Sequence, residues 1–418
     1  MNALPLGWDS RSLSDVCLRP KKSDPVALGR STIRYIDIGS VDGSRHSVTD
    51  VPTLEAASAP TRARQIVRTG DTVFSTVRPY LEKIAYVGVG LDDEFASTGF
   101  CVLRPGPRLD ARWLFHFSTS RLLLDQVLPH QRGVSYPAVR DKEVLAAEIP
   151  LPNIVTQRRI VEILEDHLSR VDAGASSLDV ASRRLRFLVA SATEAVRNEA
   201  AELGPEASLG SLGVASGYGT SAKCVANGPG PAVVRIPNLV GGTIDLSDEK
   251  RVEDGSLDVS GLMLDPGDLL FVRTNGSRDL IGRTGVVQDG VRAAFASYLI
   301  RYKLDVARLR PQWVHLMMRT PGSRRLLESM AASSAGQYNL SLSKLDRVAV
   351  PVPTLDEQDR LLIRSRGIEG AAGRLHGDLT SATARRIALR RSLLTAAFAG
   401  RLTGQTEDDE VVEELASV

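Results

Sequence analysis

Apolar residues along this chain follow two different periods, and the change from one to the other divides it. In residues 1–152, short apolar, β-branched runs such as Thr32–Ile38, Asp71–Val77 and Lys83–Val89 are punctuated by Gly, Pro and Asp, which predicts strands joined by turns. Trp113–Val127 has helical spacing instead, with Trp113, Leu114, Phe117, Leu124 and Val127 on one buried stripe. Residues 205–353 repeat the scheme, with strands near Ala232–Ile236, Asp268–Arg273 and Gly285–Gln288 and a helix near Gln312–Met330. Both stretches read as mixed α/β (α+β) domains.

Each domain closes on a proline-punctuated exit, Pro150-Leu151-Pro152 or Pro351-Val352-Pro353. Proline cannot donate to a helix ladder and biases the residue before it toward extended geometry. Beyond each exit the period lengthens. Val161, Leu164, Leu168, Val171, Ala175, Leu178, Leu185, Val189, Ala192 and Val196 alternate spacings of three and four, with only Ser182 breaking the series. The second series is Leu361, Ile368, Ala372, Leu375, Leu379, Ala382, Leu389, Leu393 and Ala396, with Ser365 and Arg386 polar but in register. A core helix holds such spacing for two or three turns. Held over some thirty residues, it predicts heptad seams in residues 153–204 and 354–404.

A helix from about Ile154 to Ala201 would be roughly 70 Å long. The natural partner of each seam is the other, and antiparallel packing would put the domains at opposite ends with a pseudo-twofold between them. On this reading Gln157, Leu164, Leu168, Leu178, Leu185, Gln358, Leu375, Leu379, Leu389 and Leu393 are spacer or partner-contact residues. Gly367, Gly370, Gly373 and Gly377 each cost about 1 kcal/mol against alanine inside a helix, so a kink or frayed turn is expected there.

The two halves correspond in detail. Gly70-Asp71 of GDTVF answers Gly267-Asp268 of GDLLF, and Phe95-Ala96-Ser97 answers Phe295-Ala296-Ser297. Trp113 answers Trp313, Pro150 answers Pro351, and Gln157 answers Gln358. The offsets are 197, 200, 200, 201 and 201, and the order never breaks. A period this long is no solenoid repeat. It marks two copies of a whole domain, and a two-copy reader implies a two-part target.

Composition narrows the class. At 43% hydrophobic and 24% charged the chain matches ordinary soluble proteins, and no apolar run approaches the ~18 residues that span a bilayer. MNALPLGWDSRSL lacks the basic and apolar regions of a signal peptide. Cys17, Cys101 and Cys224 are scattered without CxxC spacing, which speaks against a disulfide framework or a zinc site and fits a reducing cytoplasm. The net charge is +2, but residues 405–418 carry six acids and no base. Without them the body stands at +8, compatible with a nucleic-acid partner, and the acidic tail is expected to be disordered.

Catalytic constellations are missing. There is no GxxxxGK[ST] loop, no GxGxxG after a strand, no HExxH among the six histidines, and no NPPY or DPPY methyltransferase loop. Asp248-Glu249-Lys250 resembles part of a nuclease cluster but lacks an upstream acid at useful spacing, and reads as a solvated turn. His116 and His315 fall in predicted helices, where histidines are usually structural.

Base readout needs Arg, Lys, Asn, Gln or hydroxyl side chains on a rigid domain. In the first domain Arg78, Tyr80 and Lys83 follow the GDTVF strand, and Gln131, Arg132, Ser135 and Tyr136 precede the exit. In the second, Arg273, Asn275, Ser277, Arg278 and Arg283 follow GDLLF, and Gln337, Tyr338 and Asn339 precede the exit. Most residues of such loops are ordinarily just solvated. As candidates for DNA contact, the two sets differ in sequence and would read different half-sites.

Two variable α/β domains, each with a proline exit, a nearby Gln and a long helix, resemble the specificity subunit (S subunit, HsdS) of type I restriction-modification systems. The resemblance is carried by IPLPNIVTQRRI from Ile149, VPVPTLDEQDRL from Val350 and the closing RRSLLTAAFAGRLTG from Arg390. The family's Glu-Gln pair is intact as Glu357-Gln358, whereas the first copy has Thr156-Gln157. The resemblance implies a non-catalytic subunit with two target recognition domains, reading the halves of an asymmetric, bipartite DNA site across an antiparallel helical spacer. It implies methyltransferase (M) subunits that supply S-adenosylmethionine and adenine methylation, and a restriction (R) subunit as an optional partner using ATP and Mg. No cofactor or metal is expected on this chain. Two other readings stand beside it: a two-domain coiled-coil protein scaffold without DNA specificity, and a fused modification enzyme, against which the missing methyltransferase loop speaks.

Overall fold

The computed structural model describes residues 4–133, 135–334 and 336–403; the acidic tail, 405–418, lies outside the described residues. Contacts divide the chain into two units. The first holds the residues up to Asp179 and those from Thr380 onward, and the second is Val180–Leu379. The packing units therefore do not end at the proline exits: each long helix starts in one unit and finishes in the other.

The first unit is built on two four-stranded sheets. One orders Cys17–Leu18, Phe100–Pro105, Thr72–Ser75 and Ile84–Tyr86, all antiparallel. The other orders Thr53–Glu55, Thr32–Ile36, Phe95–Ser97 and Ala63–Ile66, with Phe95–Ser97 parallel to Thr32–Ile36. The second unit has the same plan. Gly213–Tyr218, Leu299–Leu304, Leu269–Val272 and Thr284–Val286 form its antiparallel sheet. Cys224–Val225, Lys250–Val252, Ala232–Val234 and Ala293–Phe295 form the other, again with one parallel pairing. The central strands Thr72–Ser75 and Leu269–Val272 are buried throughout, which is why they read as continuous apolar runs.

The GD dipeptide has the same task in both copies. Gly70 and Gly267 have φ of +93° and +88°, values that glycine adopts without a Cβ penalty. Their N–H groups donate to Val87 O and Val287 O. The following aspartates are buried; Asp71 binds Arg104 through two hydrogen bonds of 2.9 and 2.7 Å, while Asp268 lies 3.9 Å from the matching Arg301. Burial raises the Asp268 pKa.

Both expected domain helices are broken in two. Ala111–Ser118 and Arg121–Val127 replace one helix over Trp113–Val127. The hydroxyls of Ser118, Thr119 and Ser120 donate to the carbonyls of Leu114, His116 and Phe117, the local competition that ends helices. In the second unit Pro311–Arg319 and Pro321–Met330 meet at Thr320, whose extended geometry before Pro321 ends one helix and whose hydroxyl caps the next. The expected buried stripe of Trp113, Leu114, Phe117, Leu124 and Val127 is buried in full. The exits are strands: Glu148–Leu151 pairs with Asp9–Ser12, and Ala349–Pro351 with Glu206–Ser208.

The long helices run Ile154–Leu203 and Leu355–Phe398. In the first unit Ile160, Leu164 and Leu168 share a core with Leu393, Ala397, Phe398 and Trp113, while farther out Asp172 faces Arg390 at 3.3 Å. In the second, Val196 and Ala200 share a core with Leu361, Leu362 and Trp313, and Glu199 binds Arg360 at 3.0 Å and Arg364 at 2.6 Å. Within each unit the helix segments are therefore antiparallel. Two expectations need correcting. Leu375 is 52% exposed, not buried in a seam, and Phe187 and Leu188 are more exposed still. The helix also continues unbroken through Gly367, Gly370, Gly373 and Gly377. Leu178, Leu185, Leu379 and Leu389 are only partly buried, so full burial is confined to the helix ends that meet a domain core.

Candidate nucleic-acid interface

The joint between each domain and its helix is built on a buried glutamine. Gln157 and Gln358 are both fully buried. The Gln157 amide oxygen accepts from Asp110 N at 2.8 Å, and its nitrogen donates to Arg108 O and Pro152 O at 3.0 and 2.8 Å. Gln358 repeats this on Arg310 N, Arg308 O and Pro353 O, each at 2.9 Å. Trp113 and Trp313 add an indole N–H to Pro150 O and Pro351 O. The glutamines are therefore internal clasps between loop, exit and helix. One surface pair beside the clasp has swapped its charges, Asp110 with Arg158 in the first copy and Arg310 with Asp359 in the second. The Thr156-for-Glu departure is compensated: Asn153 Oδ1 accepts the N–H groups of Val155 and Thr156, whereas the second helix uses a Thr354–Glu357 capping box.

With the clasp fixed, the candidate loops come together within each domain. In the first, Thr76–Arg78 lies beside the turn before the exit: Val139 N donates to Thr76 O, Val77 bridges Ala138, and Arg78 N donates to Pro137 O at 2.7 Å. Arg78 has φ +48° and places its guanidinium 4.6 Å from the Tyr136 ring, with Nη2 toward Ser135 O at 3.4 Å. Tyr80 is exposed nearby in the chain. The side chains of Lys83, Gln131 and Arg132 turn away from this cluster, although the Arg132 backbone pairs with Ala138. The Lys83 amine donates to Ile38 O, the Gln131 amide folds onto Leu128 O, and Arg132 faces Glu143 at 3.5 Å.

In the second domain Thr274–Asn275, Gln337–Asn339 and Ala332–Ser334 form a three-stranded sheet that pairs Asn275 with Tyr338. Thr274 Oγ1 donates to Asn339 Oδ1 at 2.7 Å, and Ser277 N to Asn275 Oδ1 at 2.8 Å. Gln337 is exposed, and Tyr338 packs on the core. Arg273 lies over the Tyr218 ring at 4.4 Å, and its N–H donates to Tyr298 O. Arg278 is held by Glu328 O, and Arg283 is exposed at the edge of a cavity of about 300 Å³ lined also by His315, Arg319 and Arg324.

Sequence reading missed Tyr218 and Tyr298. Four of the eight tyrosines are substantially exposed: Tyr80, Tyr136, Tyr218 and Tyr298. Two fall in each unit, and each lies beside Arg78 or Arg273 in space or in sequence. Exposed aromatics interleaved with cations that have no ion pair among the described residues offer stacking and charge together, as nucleic-acid surfaces do. Other polar groups singled out in the sequence have internal partners. Asp248 pairs with Arg235 and Glu249 with Arg251. His116 Nε2 is 3.0 Å from Glu165, and His315 Nδ1 is 2.8 Å from Thr284 Oγ1; burial lowers both histidines, His315 to about 4.

Comparison with known proteins points the same way in sequence and in fold. The family described as Type I restriction modification DNA specificity domain matches residues 5–175. The StySPI specificity subunit of Salmonella potsdam is 25% identical over 324 residues, 75% of this chain and 70% of that one. The EcoKI specificity subunit of Escherichia coli K12 is 26% identical over 326 residues, with the same shares covered. A chain from a structural study of complex assembly and conformational transition in the type I system covers 96% of this chain at TM-score 0.78 and 26% identity, and is itself matched over its full length. The chain is similar along most of its length to the specificity subunits of type I restriction-modification systems. HsdS from Thermoanaerobacter tengcongensis aligns over 96% of this chain and 98% of its own at TM-score 0.53 and 26% identity. A specificity subunit recognises DNA sequence, so the paired arginine–tyrosine faces are the surfaces to consider for that task. No described helix is long and apolar enough to cross a membrane.

Proposed function

We propose that residues 1–152 and 205–353 are two target recognition domains, each reading one half of an asymmetric, bipartite DNA site, and that 153–204 and 354–404 form an antiparallel spacer setting the gap. The observation that carries the reading is the duplicated but chemically different arginine–tyrosine face: Arg78 with Tyr80 and Tyr136 in one domain, Arg273 with Tyr218 and Tyr298 in the other. Equal scaffolds with unequal faces suit a target whose halves differ.

In this reading the chain contributes affinity and geometry, and methyltransferase subunits supply S-adenosylmethionine and the adenine chemistry, including flipping the base. A restriction subunit would add ATP- and Mg-dependent translocation and cleavage. Partners that share the phosphate contacts fit the modest positive charge of this chain.

Methylation mapping of cells with and without the gene tests the proposal. A bipartite adenine-methylated motif should vanish on deletion, and exchanging residues 1–152 for another first domain should change one half only. An unchanged methylome would instead favour a protein scaffold.

A further inference from the structure

We infer that Arg78 and Arg273 are the specificity-determining arginines of the two domains, each presenting its guanidinium fork to the edge of a guanine in the major groove; this rests on the recognition role proposed above. Three observations single them out from the fifteen candidates. Each guanidinium lies on a tyrosine ring, at 4.6 and 4.4 Å. Each Nε is buried without a hydrogen-bond partner among the described residues. Neither arginine has an ion pair among the described residues, whereas Arg132 faces Glu143.

An arginine serving only as a phosphate clamp gains little from such confinement. A phosphate presents several oxygens, so a guanidinium can meet it from many angles. Base reading differs: two parallel hydrogen bonds to O6 and N7 of guanine demand a planar fork held at one angle. Stacking on an aromatic face supplies that restraint. The backbone adds to it. Arg78 N–H is tied to Pro137 O; Arg273 N–H is tied to Tyr298 O, and its carbonyl accepts from Leu340 N.

The two arginines do not occupy equivalent places. Thr76 is the counterpart of Arg273, because Thr76 N donates to Gly99 O and Thr76 O accepts from Val139 N in the same pattern. Arg78 corresponds to Asn275, since each lies opposite the residue two before the domain's last loop position, Pro137 or Tyr338. The fork is thus displaced by two residues along an otherwise common strand. Two copies of one domain would thereby read G·C pairs at different places in their half-sites.

The test maps methylation in cells carrying the complete complex with wild-type chain, Arg78→Ala, Arg78→Lys, Arg273→Ala or Arg273→Lys. Discrimination at one G·C position should fall roughly 5- to 150-fold. The Arg78 variants should relax one half and the Arg273 variants the other, with lysine failing to restore the fork. Tyr136→Ala and Tyr218→Ala should weaken the same position while leaving the motif otherwise intact. Recovery of the complex and a retained opposite half-site show that a variant is folded. If the wild-type chain directs no motif, the recognition role itself fails. If it does, but the arginine variants lower methylation evenly with no position relaxed, or lysine restores full discrimination, these arginines are phosphate contacts and the inference is overturned.

Discussion

At the residue scale, the clearest functional constraint is on two buried amides. Gln157 satisfies one donor and two acceptors that are otherwise enclosed, and Gln358 does the same. Gln157→Ala should cost about 2–3 kcal/mol in urea unfolding, because the loop groups it binds cannot all find water. Gln157→Glu should be at least as damaging, since a carboxylate can accept from Asp110 N but cannot donate to two carbonyls; a neutral Glu substitution would discard the clasp. His315 yields a pH prediction. Its pKa is lowered from 6.5 to about 4 by burial and then by Arg319, so the unfolded chain binds a proton more readily between those values. The stability it contributes is present above about pH 6.5 and drains as pH falls toward 4. The stability gap between wild type and His315→Gln should therefore shrink by on the order of 1–3 kcal/mol from pH 7 to 4. A gap constant with pH would show that the ring stays solvated.

At the element scale, the long helices are held at their ends and loosely in between. Leu168 and Leu393 are buried in the first unit's core, whereas Leu375 in the second unit is half-exposed. Leu168→Ala should cost about 2–5 kcal/mol, and Leu375→Ala within about 0.5 kcal/mol of nothing. Gly367, Gly373 and Gly377 have open space where a Cβ would stand, so alanine at each should stabilise by about 0.5–1 kcal/mol and raise the melting temperature. No change in melting would mean that these turns are not helical in solution. Heptad spacing was legible because the core-facing ends impose it. Which middle positions become buried was not, because apolar residues such as Phe187 and Leu188 fall outside the seam and small residues in the second helix leave little to bury.

At the scale of the whole molecule, the proposed ruler has a direct test. Inserting seven residues into each long helix would lengthen it by about 10 Å, close to three base pairs of B-DNA. The methylated motif should keep both halves and gain about three base pairs of gap. An unchanged gap would end the ruler idea, while altered half-sites would mean that the helices also orient the reading faces.

The chain order by itself determined that there are two copies of one domain and that a long helix follows each. Those features depend on periodicity and on turn residues, which act locally. The repeated GD turns, the paired tryptophans and the paired glutamines were visible as matched positions, but their hydrogen bonds were not. Tertiary structure decided which polar residues are clasps and which face outward. It turned Lys83 and Gln131 onto carbonyls, laid Arg78 and Arg273 over tyrosine rings with no ion pair among the described residues, and placed Tyr218 beside an arginine 55 residues away in sequence. A side chain's hydrogen-bond partners come from strands distant in the chain, so composition and spacing fix its chemistry but not whether that chemistry is already spent inside the protein.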